Sequence, residues 1–213
     1  MSAPRHPRPR LVVSRCLELA ACRYDGAVIE APLVRRLVPL VELLPVCPEL
    51  EIGLGVPRDP VRLVTLPGGP DRPRMVQPST GRDLTGAMTA FSRAFLDRVG
   101  PVDGFLLKSR SPSCGVADTK LYGGAESHGE EAPVGLGAGL FARAVIERFR
   151  DLPVTDEERL ADPEARHRFL AELFARARRR EAGEAGAAPP PLPADEPYPP
   201  ALAEPEARGS SKR

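Results

Sequence analysis

The order of apolar and polar positions predicts strands and helices that alternate along the chain. Short, continuous apolar runs are typical of strands buried on both faces, and they occur at 11–14, 43–46 and 104–108. Apolar side chains recur at helical spacing in longer stretches, at 31–41, 84–99, 140–149 and 162–180. This alternation favours an α/β fold: a three-layer sandwich around a mostly parallel, Rossmann-like sheet.

Proline and acidic residues set the expected boundaries of these helices. Pro39 is expected to bend or divide the first helix, because it lacks the amide hydrogen that a helix interior uses. Asp83 can accept hydrogen bonds from the free amides of the second helix, and Pro163 suits the first position of the last. Residues 61–66 and 74–77 flank the turn-forming segment LPGGPDRP, which predicts a hairpin or an excursion from the main sheet.

The composition limits the number of domains and the classes of partner. A chain of 213 residues with 42% hydrophobic residues buries one sizeable core, so one main domain is expected. The formal net charge is +1, from 30 basic and 29 acidic side chains, and this near balance argues against nucleic acid or an anionic membrane as partner. Because no apolar run reaches about 18 residues, we expect neither a signal peptide nor a transmembrane helix.

The two ends of the chain differ in composition from its centre. Residues 1–9 place prolines among arginines, and residues 181–213 are rich in Pro and Ala and nearly free of large apolar side chains. Such segments bury too little apolar area to offset the entropy lost on ordering. We therefore predict a disordered N-terminus at 1–9, one α/β domain at 10–180 and a disordered tail at 181–213.

Three of the four cysteines follow the predicted strands. Cys16, Cys47 and Cys114 come after the three apolar runs in turn, and loops that leave the carboxyl ends of parallel strands converge at one edge of a sheet. Thiolates are soft ligands, so a shared site at that edge favours Zn²⁺, Cu(I) or an iron–sulfur cluster. Cys22, on the same loop as Cys16, is a candidate fourth ligand or a reactive thiol. Simple burial of any one cysteine in the core stays an open alternative.

The spacing of the cysteines also bears on the compartment. Structural zinc sites use close cysteine pairs, and this chain has no Cys-x₂-Cys pair. Disulfides are rare in the cytosol, where thiols are kept reduced. Since no signal peptide is expected, we expect a cytoplasmic protein, and in that compartment its cysteines are expected to be thiols or metal ligands.

Four strings of residues, in this order along the chain, carry a resemblance to a known family. They are VSRCLELAACRYDG, PVCPELEIGLGVPRDPVRLV, TGRDLT and DGFLLKSRSPSCG. Together they resemble the bacterial family, long labelled a domain of unknown function, that includes the thiouracil desulfurases. The resemblance covers about residues 11–150. The later pieces GLGAGLFARAVIERF and LPVTDEERLADPEARHRFLAELF resemble the C-terminal end of the same family.

The resemblance implies an oxygen-sensitive [4Fe–4S] cluster with three cysteine ligands, Cys16, Cys47 and Cys114, whose fourth iron takes sulfur from a thiolated nucleobase. It further implies Glu49 of the Cys-Pro-Glu motif as the catalytic acid, assisted by Ser111 of the SPSC motif. The segment LELAAC departs from the desulfurase pattern, which has a glycine before RYDG, and resembles the subgroup often fused to a second domain of unknown function. The physiological substrate therefore stays open within the class of small thiolated heterocycles.

Other residues near the cysteines have more than one interpretation. Tyr24 is suited to stack on a planar ring, Asp25 is expected to set the turn before Gly26, and Lys108 either pairs with a carboxylate or touches substrate. The loop that ends at Arg58 is a weak candidate for a phosphate site. The amides after Gly135, Gly137 and Gly139 are a weak candidate for an anion site, and helix entry is the favoured interpretation there.

Two functions of different class are compatible with the sequence. The first is an enzyme that performs iron–sulfur-dependent desulfuration of a small thiolated base, with neither a membrane nor a nucleic-acid partner. The second is a non-catalytic module in which zinc or a cluster, with Cys22 as the fourth thiolate, staples loops or senses redox state. A closed site with four ligands favours the second, because catalysis needs an open coordination position.

Overall fold

The computed structural model describes residues 6–66, 69–124, 132–183 and 197–203. The strands, in chain order, are β1 (Arg10–Ser14), β2 (Glu42–Val46), β3 (Arg62–Leu66), β4 (Gly69–Gln77), β5 (Arg82–Asp83), β6 (Gly104–Leu107), β7 (Thr119–Gly123), β8 (Gly135–Gly137) and β9 (Val154–Asp156). The α-helices are α1 (Pro32–Leu37), α2 (Pro48–Glu51), α3 (Thr85–Arg98), α4 (Leu140–Arg148) and α5 (Pro163–Glu181). Short 3₁₀ turns lie at Arg159–Ala161 and Pro200–Leu202.

The central sheet is parallel and has the strand order β2-β1-β6-β9. Successive side chains of a strand point to opposite faces, so Leu11 and Val13 of β1 enter one hydrophobic core while Val12 enters another. In β6, Leu106 faces the first core and Phe105 the second. These side chains are at most 1% exposed. Burial on both faces explains why β1 and β6 are continuous apolar runs in the sequence.

Helices cover both faces of the central sheet. α1 and α5 pack on the first core through residues such as Leu37 and Leu170, whereas α3 and α4 pack on the second through Met88 and Phe141. All four of these side chains are fully buried. The domain is therefore a three-layer α/β sandwich around a parallel sheet, and the predicted fold class is confirmed.

A second sheet, with strand order β5-β4-β3-β7-β8, packs against the second core. β3 and β4 form the antiparallel hairpin that the sequence predicts, with Leu63 opposite Met75. β7 pairs in parallel with β3 and antiparallel with β8. The sequence pattern does not predict these two strands, because β7 buries a large apolar side chain only at Leu121 and β8 is the exposed stretch Gly135–Gly137.

Helix boundaries follow from proline and from side-chain capping. α1 ends at Leu37 and not at residue 41 as the pattern predicts. Pro39 has no amide hydrogen with which to continue the helical hydrogen bonds. Oδ1 of Asp83 accepts the first amide of α3 at 2.9 Å, and Oδ1 of Asp162 accepts an amide of α5 at 2.8 Å. Within the described part of the chain, no helix has the length and apolar character needed to cross a lipid bilayer.

Part of the C-terminal segment packs on the domain. Residues 197–203 lie against α1 and α5, and Leu202 is fully buried in the first core. The hydroxyl of Tyr198, which is 7% exposed, lies 2.8 Å from Nδ1 of His167. This stretch differs from the predicted disorder, because two large apolar side chains anchor a segment whose average composition is unfavourable. The domain boundaries stay a prediction, since residues 1–5, 184–196 and 204–213 lie outside the described residues.

Candidate active site

One edge of the parallel sheet carries the residues that the sequence singles out. β2, β1 and β6 are neighbours and run in the same direction, so the segments that follow them leave the sheet at one edge. Those segments carry Cys47, Cys16 and Cys114 in turn and line a cavity of about 390 Å³. The same cavity is lined by Cys22, Tyr24, Glu49, Arg58, Lys108 and Ser111. The structure thus brings all the predicted site residues together.

The four cysteines are free thiols on the wall of this cavity. The thiol of Cys22 is in hydrogen-bond contact with the sulfur atoms of Cys16 and Cys47, and the Cys47 thiol also donates to the carbonyl of Cys22 at 3.7 Å. Cys22 and Cys114 are 2% and 4% exposed, while Cys16 is partly exposed. Thiols gathered around one cavity are the donor set of a soft metal centre.

Burial and mutual proximity raise the pKa of three of these thiols, those of Cys22, Cys47 and Cys114. The hydrogen bond with Cys16, followed by burial, raises the pKa of the Cys22 thiol well above its usual range. Burial raises the pKa of Cys47 to about 11 and the pKa of Cys114 to about 12, and the nearby Glu49 carboxylate adds to both shifts. A metal cation binds thiolates and displaces their protons, so it offsets the cost of burying thiolates and their repulsion by the Glu49 carboxylate. The donor set therefore fits a positively charged centre.

Two partners hold Glu49 at the cavity wall. Glu49 lies in α2, which begins directly after Cys47. Nε and Nη2 of Arg58 donate to Oε2 of Glu49 at 2.9 and 2.8 Å, and the hydroxyl of Ser113 donates to Oε1 at 2.8 Å. The side chains of Glu49 and Arg58 are 13% and 5% exposed. The predicted acid thus faces the cavity with both carboxylate oxygens bound by donors.

The serines of the SPSC motif have different contacts. Oγ of Ser111 accepts the backbone amides of Ser113 at 3.2 Å and Cys114 at 3.1 Å, which fixes the turn before the cysteine. The Ser111 hydroxyl also contacts the sulfur of Cys114. Ser111 is therefore placed beside a candidate ligand, whereas Ser113 is the serine that contacts Glu49.

Lys108 links the cysteine loop to the end of β9. Its Nζ pairs with Oε1 of Glu157 and donates to Oγ of Ser109 at 2.7 Å. Glu157 also accepts the amide of Ser109 at 2.9 Å. The structure therefore assigns Lys108 the carboxylate-pairing role of its two predicted roles, although the residue also lines the cavity. No signal in the sequence connects Glu157 with this loop.

The loop that carries Cys22 forms the exposed side of the cavity. Oδ1 of Asp25 accepts the amide of Ala27 at 3.0 Å, so the predicted turn role of Asp25 is confirmed. Tyr24 is 40% exposed, lines the cavity and has the guanidinium of Arg23 5.3 Å from its ring centroid. Its ring is therefore accessible for stacking at the mouth of the site.

Neither anion site that the sequence suggests is formed. The amide of Ala142 at the start of α4 donates to the carbonyl of Ser113 at 3.0 Å, so loop backbone occupies it. A Cβ at Gly139 would lie 2.5 Å from the backbone of Ser113, which explains the glycine as a packing contact. The loop that ends at Arg58 does not present that guanidinium to a phosphate, because it is bonded to Glu49.

Known proteins resemble the chain over most of its folded part. Residues 11–157, more than half of the chain, match the model of the family described as 2-thiouracil desulfurase. The uncharacterized protein YbbK of Bacillus subtilis (strain 168) is 28% identical over 142 residues, which are 63% of this chain and 90% of that protein. A solved structure of the [4Fe–4S]-dependent thiouracil desulfidase TudS matches with a TM-score of 0.56 and 26% identity, over 76% of this chain and 97% of that one. The predicted resemblance is confirmed, and the chain belongs to the 2-thiouracil desulfurase family.

Proposed function

We propose that this protein is a [4Fe–4S]-dependent desulfurase that acts on a thiolated nucleobase or a similar small heterocycle. The observation that carries the proposal is the meeting of three strand-end cysteines, Glu49 and Ser111 around one cavity of about 390 Å³. The family match and the likeness to a [4Fe–4S]-dependent desulfidase support the same chemistry. The reaction exchanges a C=S bond for a C=O bond: water supplies the oxygen, and the sulfur leaves as hydrogen sulfide.

Cys16, Cys47 and Cys114 would hold the cluster. Three thiolates leave one iron with an open position that binds sulfur, and this Lewis acidity is the chemistry that the cluster supplies when bound. Among the described residues, no three Cys, His, Asp or Glu side chains are close enough to hold a single metal ion. Thiolates that bind different irons of a cluster stand further apart than the ligands of one ion, so a cluster is compatible with this finding.

Glu49 is the acid–base group of the proposed reaction. Its carboxylate lines the cavity two residues after Cys47, where the proposed reaction needs a base for the water that attacks the ring carbon. Glu49 accepts one proton from that water and then the hydroxyl proton of the addition product, and it passes each in turn to the departing sulfur, so that both protons of the water leave as hydrogen sulfide. The Arg58 guanidinium balances the charge of the carboxylate.

Ser111 and Tyr24 orient the substrate. Because the oxygen of Ser111 accepts two amides, its hydroxyl acts as a donor on the side of the Cys114 sulfur, which it contacts. In the proposed complex the hydroxyl proton is donated to the thiocarbonyl sulfur. Tyr24, 40% exposed at the mouth of the cavity, stacks on the planar ring.

The reaction is placed in the cytoplasm, with a small molecule as partner. The four cysteines are free, which the reducing cytosol maintains. The formal net charge of +1 provides no overall attraction for nucleic acid.

Turnover of 2-thiouracil tests the proposal. Protein reconstituted with iron and sulfide without oxygen is incubated with 2-thiouracil in ¹⁸O-labelled water. We expect one sulfide released per uracil formed, with ¹⁸O in the uracil. Glu49→Gln should keep its iron and lose about 10²- to 10⁴-fold in kcat, because it cannot shuttle the proton. Iron-loaded protein that releases no sulfide from 2-thiouracil, 4-thiouracil or their nucleosides would contradict the proposal.

A non-catalytic metal module is the second candidate function. It is favoured by one observation, the contact of the Cys22 thiol with the sulfur atoms of Cys16 and Cys47, which makes Cys22 available as a fourth thiolate. A fourth thiolate closes the coordination sphere and leaves no position for substrate. The two candidates differ in whether metal is retained when the Cys22 thiol is removed.

A further inference from the structure

We infer that Arg58 and Ser113 are positioning residues that fix the orientation of the Glu49 carboxylate in the cavity. The inference rests on the proposed function, because an orientation matters only if Glu49 takes part in the reaction. Neither residue was selected by the sequence pattern for this role. In the sequence, Arg58 ends the loop that is a candidate phosphate site, and Ser113 is the second serine of the SPSC motif.

Every donor nitrogen of Arg58 is bonded. Nε and Nη2 donate to the same oxygen of Glu49 at 2.9 and 2.8 Å. Nη1 donates to the carbonyl of Cys22 at 3.1 Å and to the carbonyl of Gly55 at 2.8 Å. One guanidinium, 5% exposed, thus joins α2, the loop of Cys22 and the loop that precedes Arg58. The planar fork of arginine makes this arrangement possible, and the single ammonium of lysine cannot reproduce it.

Ser113 holds the other oxygen of the same carboxylate. Its hydroxyl donates to Oε1 of Glu49 at 2.8 Å. The residue is 1% exposed, and its carbonyl accepts the amide of Ala142 at 3.0 Å, so its position is set by the start of α4. The terminal torsion of a glutamate is otherwise broad and roughly two-fold. With separate donors on its two oxygens, the carboxylate of Glu49 is held in one orientation.

Arg58→Lys separates positioning from charge. The substitution keeps the positive charge beside Glu49. It loses one of the two nitrogens that donate to Oε2 and the bonds of Nη1 to the carbonyls of Cys22 and Gly55, which hold the donor in place. Because small displacements of a reacting group cost up to about 10²-fold in rate, we expect kcat to fall about 10- to 100-fold. The iron content should stay within about twofold of the wild type, since no thiol is replaced.

A second pair of variants guards against simple loss of fold. In Arg58→Ala, guanidinium ion added at a low, non-denaturing concentration should restore part of kcat by occupying the emptied place, and it should not restore Arg58→Ala combined with Glu49→Gln. Ser113→Ala should lower kcat about 3- to 10-fold, because the other oxygen of the Glu49 carboxylate remains held by Arg58.

The matched control is Arg74→Lys. Arg74 donates through two nitrogens to Asp83 at 3.0 and 2.6 Å outside the cavity, and its replacement should leave kcat unchanged.

The result that overturns the inference is an Arg58→Lys enzyme with wild-type kcat, or one whose iron content and melting temperature fall in parallel with its activity. The latter would show that Arg58 only supports the fold. Wild-type protein without activity on any thiolated base would instead overturn the proposed function. A crystal structure of Arg58→Lys then decides the inference by itself: a rotated Glu49 carboxylate supports positioning, and an unchanged one refutes it.

Discussion

Two cysteine loops border the same cavity and differ in how far their side chains are exposed. The Cys114 loop, residues 108–118 between β6 and β7, is tied to itself and to its surroundings. The carbonyl of Ser111 accepts both the amide of Gly115 and the hydroxyl of Thr119 at 2.8 Å, and the amide of Arg110 donates to Asp118 at 2.9 Å. The start of α4 packs against its backbone at Gly139.

The Cys16 loop, residues 15–31 between β1 and α1, is bonded at its ends and at the carbonyl of Cys22, but it exposes side chains on either side of those bonds. The amide of Ile29 donates to the carbonyl of Cys16 at 2.8 Å, but Tyr24 and Val28 between them are 40% and 45% exposed. The comparison separates two tasks: one loop fixes a ligand, and the other also presents an accessible aromatic ring and a further thiol. Four predictions test this division, from the largest expected effect to the smallest.

Alkylation of the metal-free protein should distinguish the two loops most strongly. Because burial raises the pKa of the Cys114 thiol to about 12, little of it is thiolate at pH 8. Iodoacetamide should therefore modify Cys114 about 100-fold or more slowly than in the unfolded chain, with the rate rising as pH approaches 12. The partly exposed Cys16 should react faster than Cys114. Peptide mass spectrometry measures both rates, and equal rates for folded and unfolded Cys114 would refute the difference.

Gly139→Ala should loosen the Cys114 loop. The added Cβ would lie 2.5 Å from the backbone of Ser113, which cannot move aside as a side chain can. We expect the free energy of unfolding to fall by about 1–3 kcal/mol, with a matching loss of bound iron. Gly135→Ala is the control, because its Cβ meets no atom within 4 Å. Equal urea denaturation midpoints for the two variants would show that the contact does not matter.

Glu157→Gln should weaken the link between the Cys114 loop and β9. It leaves Lys108 without its charged partner, and these side chains are only 19% and 15% exposed. The free energy of unfolding should fall by about 1–2 kcal/mol, less than for a fully buried pair because solvent reaches the site. Glu164→Gln is the control: the Glu164 side chain is 81% exposed in its ion pair with Arg168, and its replacement should leave the free energy of unfolding unchanged. Thermal unfolding compares the two variants, and an unchanged melting temperature for Glu157→Gln would show that the pair with Lys108 does not stabilise the fold.

Tyr24→Ala should affect substrate and leave the metal centre intact. The variant loses a stacking interaction worth about 0.5–1.5 kcal/mol of binding free energy, so KM for 2-thiouracil should rise about 2- to 10-fold. Tyr24→Phe keeps the ring and should behave like the wild type. Steady-state kinetics and iron content together test the point. Loss of iron in Tyr24→Ala would mean that the Cys16 loop is needed as a whole to hold the cluster.

The sequence predicts those strands and helices whose own apolar pattern shows which faces are buried. β1 and β6 are buried on both faces, so their continuous apolar runs mark them, and the stripes of α3 and α5 mark their buried sides. β7, β8 and β9 were not predicted. β8 and β9 are three residues each, and their strand conformation depends on pairing with β7 and β6, which lie far away in the sequence.

The site was predictable through topology and the family resemblance, and less so through its supporting residues. Parallel strands place their following loops at one edge, so the meeting of Cys16, Cys47 and Cys114 followed from the order of apolar runs. The roles of Arg58 and Ser113 depend on contact with Glu49, which is 64 positions from Ser113 along the chain. No local pattern encodes such a contact, because it forms only when the loops are already in place.

Iron and sulfide content of matched cysteine variants tests the central claim most directly. Wild type, Cys114→Ala and Cys22→Ala are reconstituted in parallel without oxygen, and their iron, acid-labile sulfide and visible absorption are measured. We predict about four irons and four sulfides per chain in the wild type and in Cys22→Ala, and a loss of most iron in Cys114→Ala. Zinc in place of iron, or loss of the metal from Cys22→Ala, would contradict an open centre held by three cysteines.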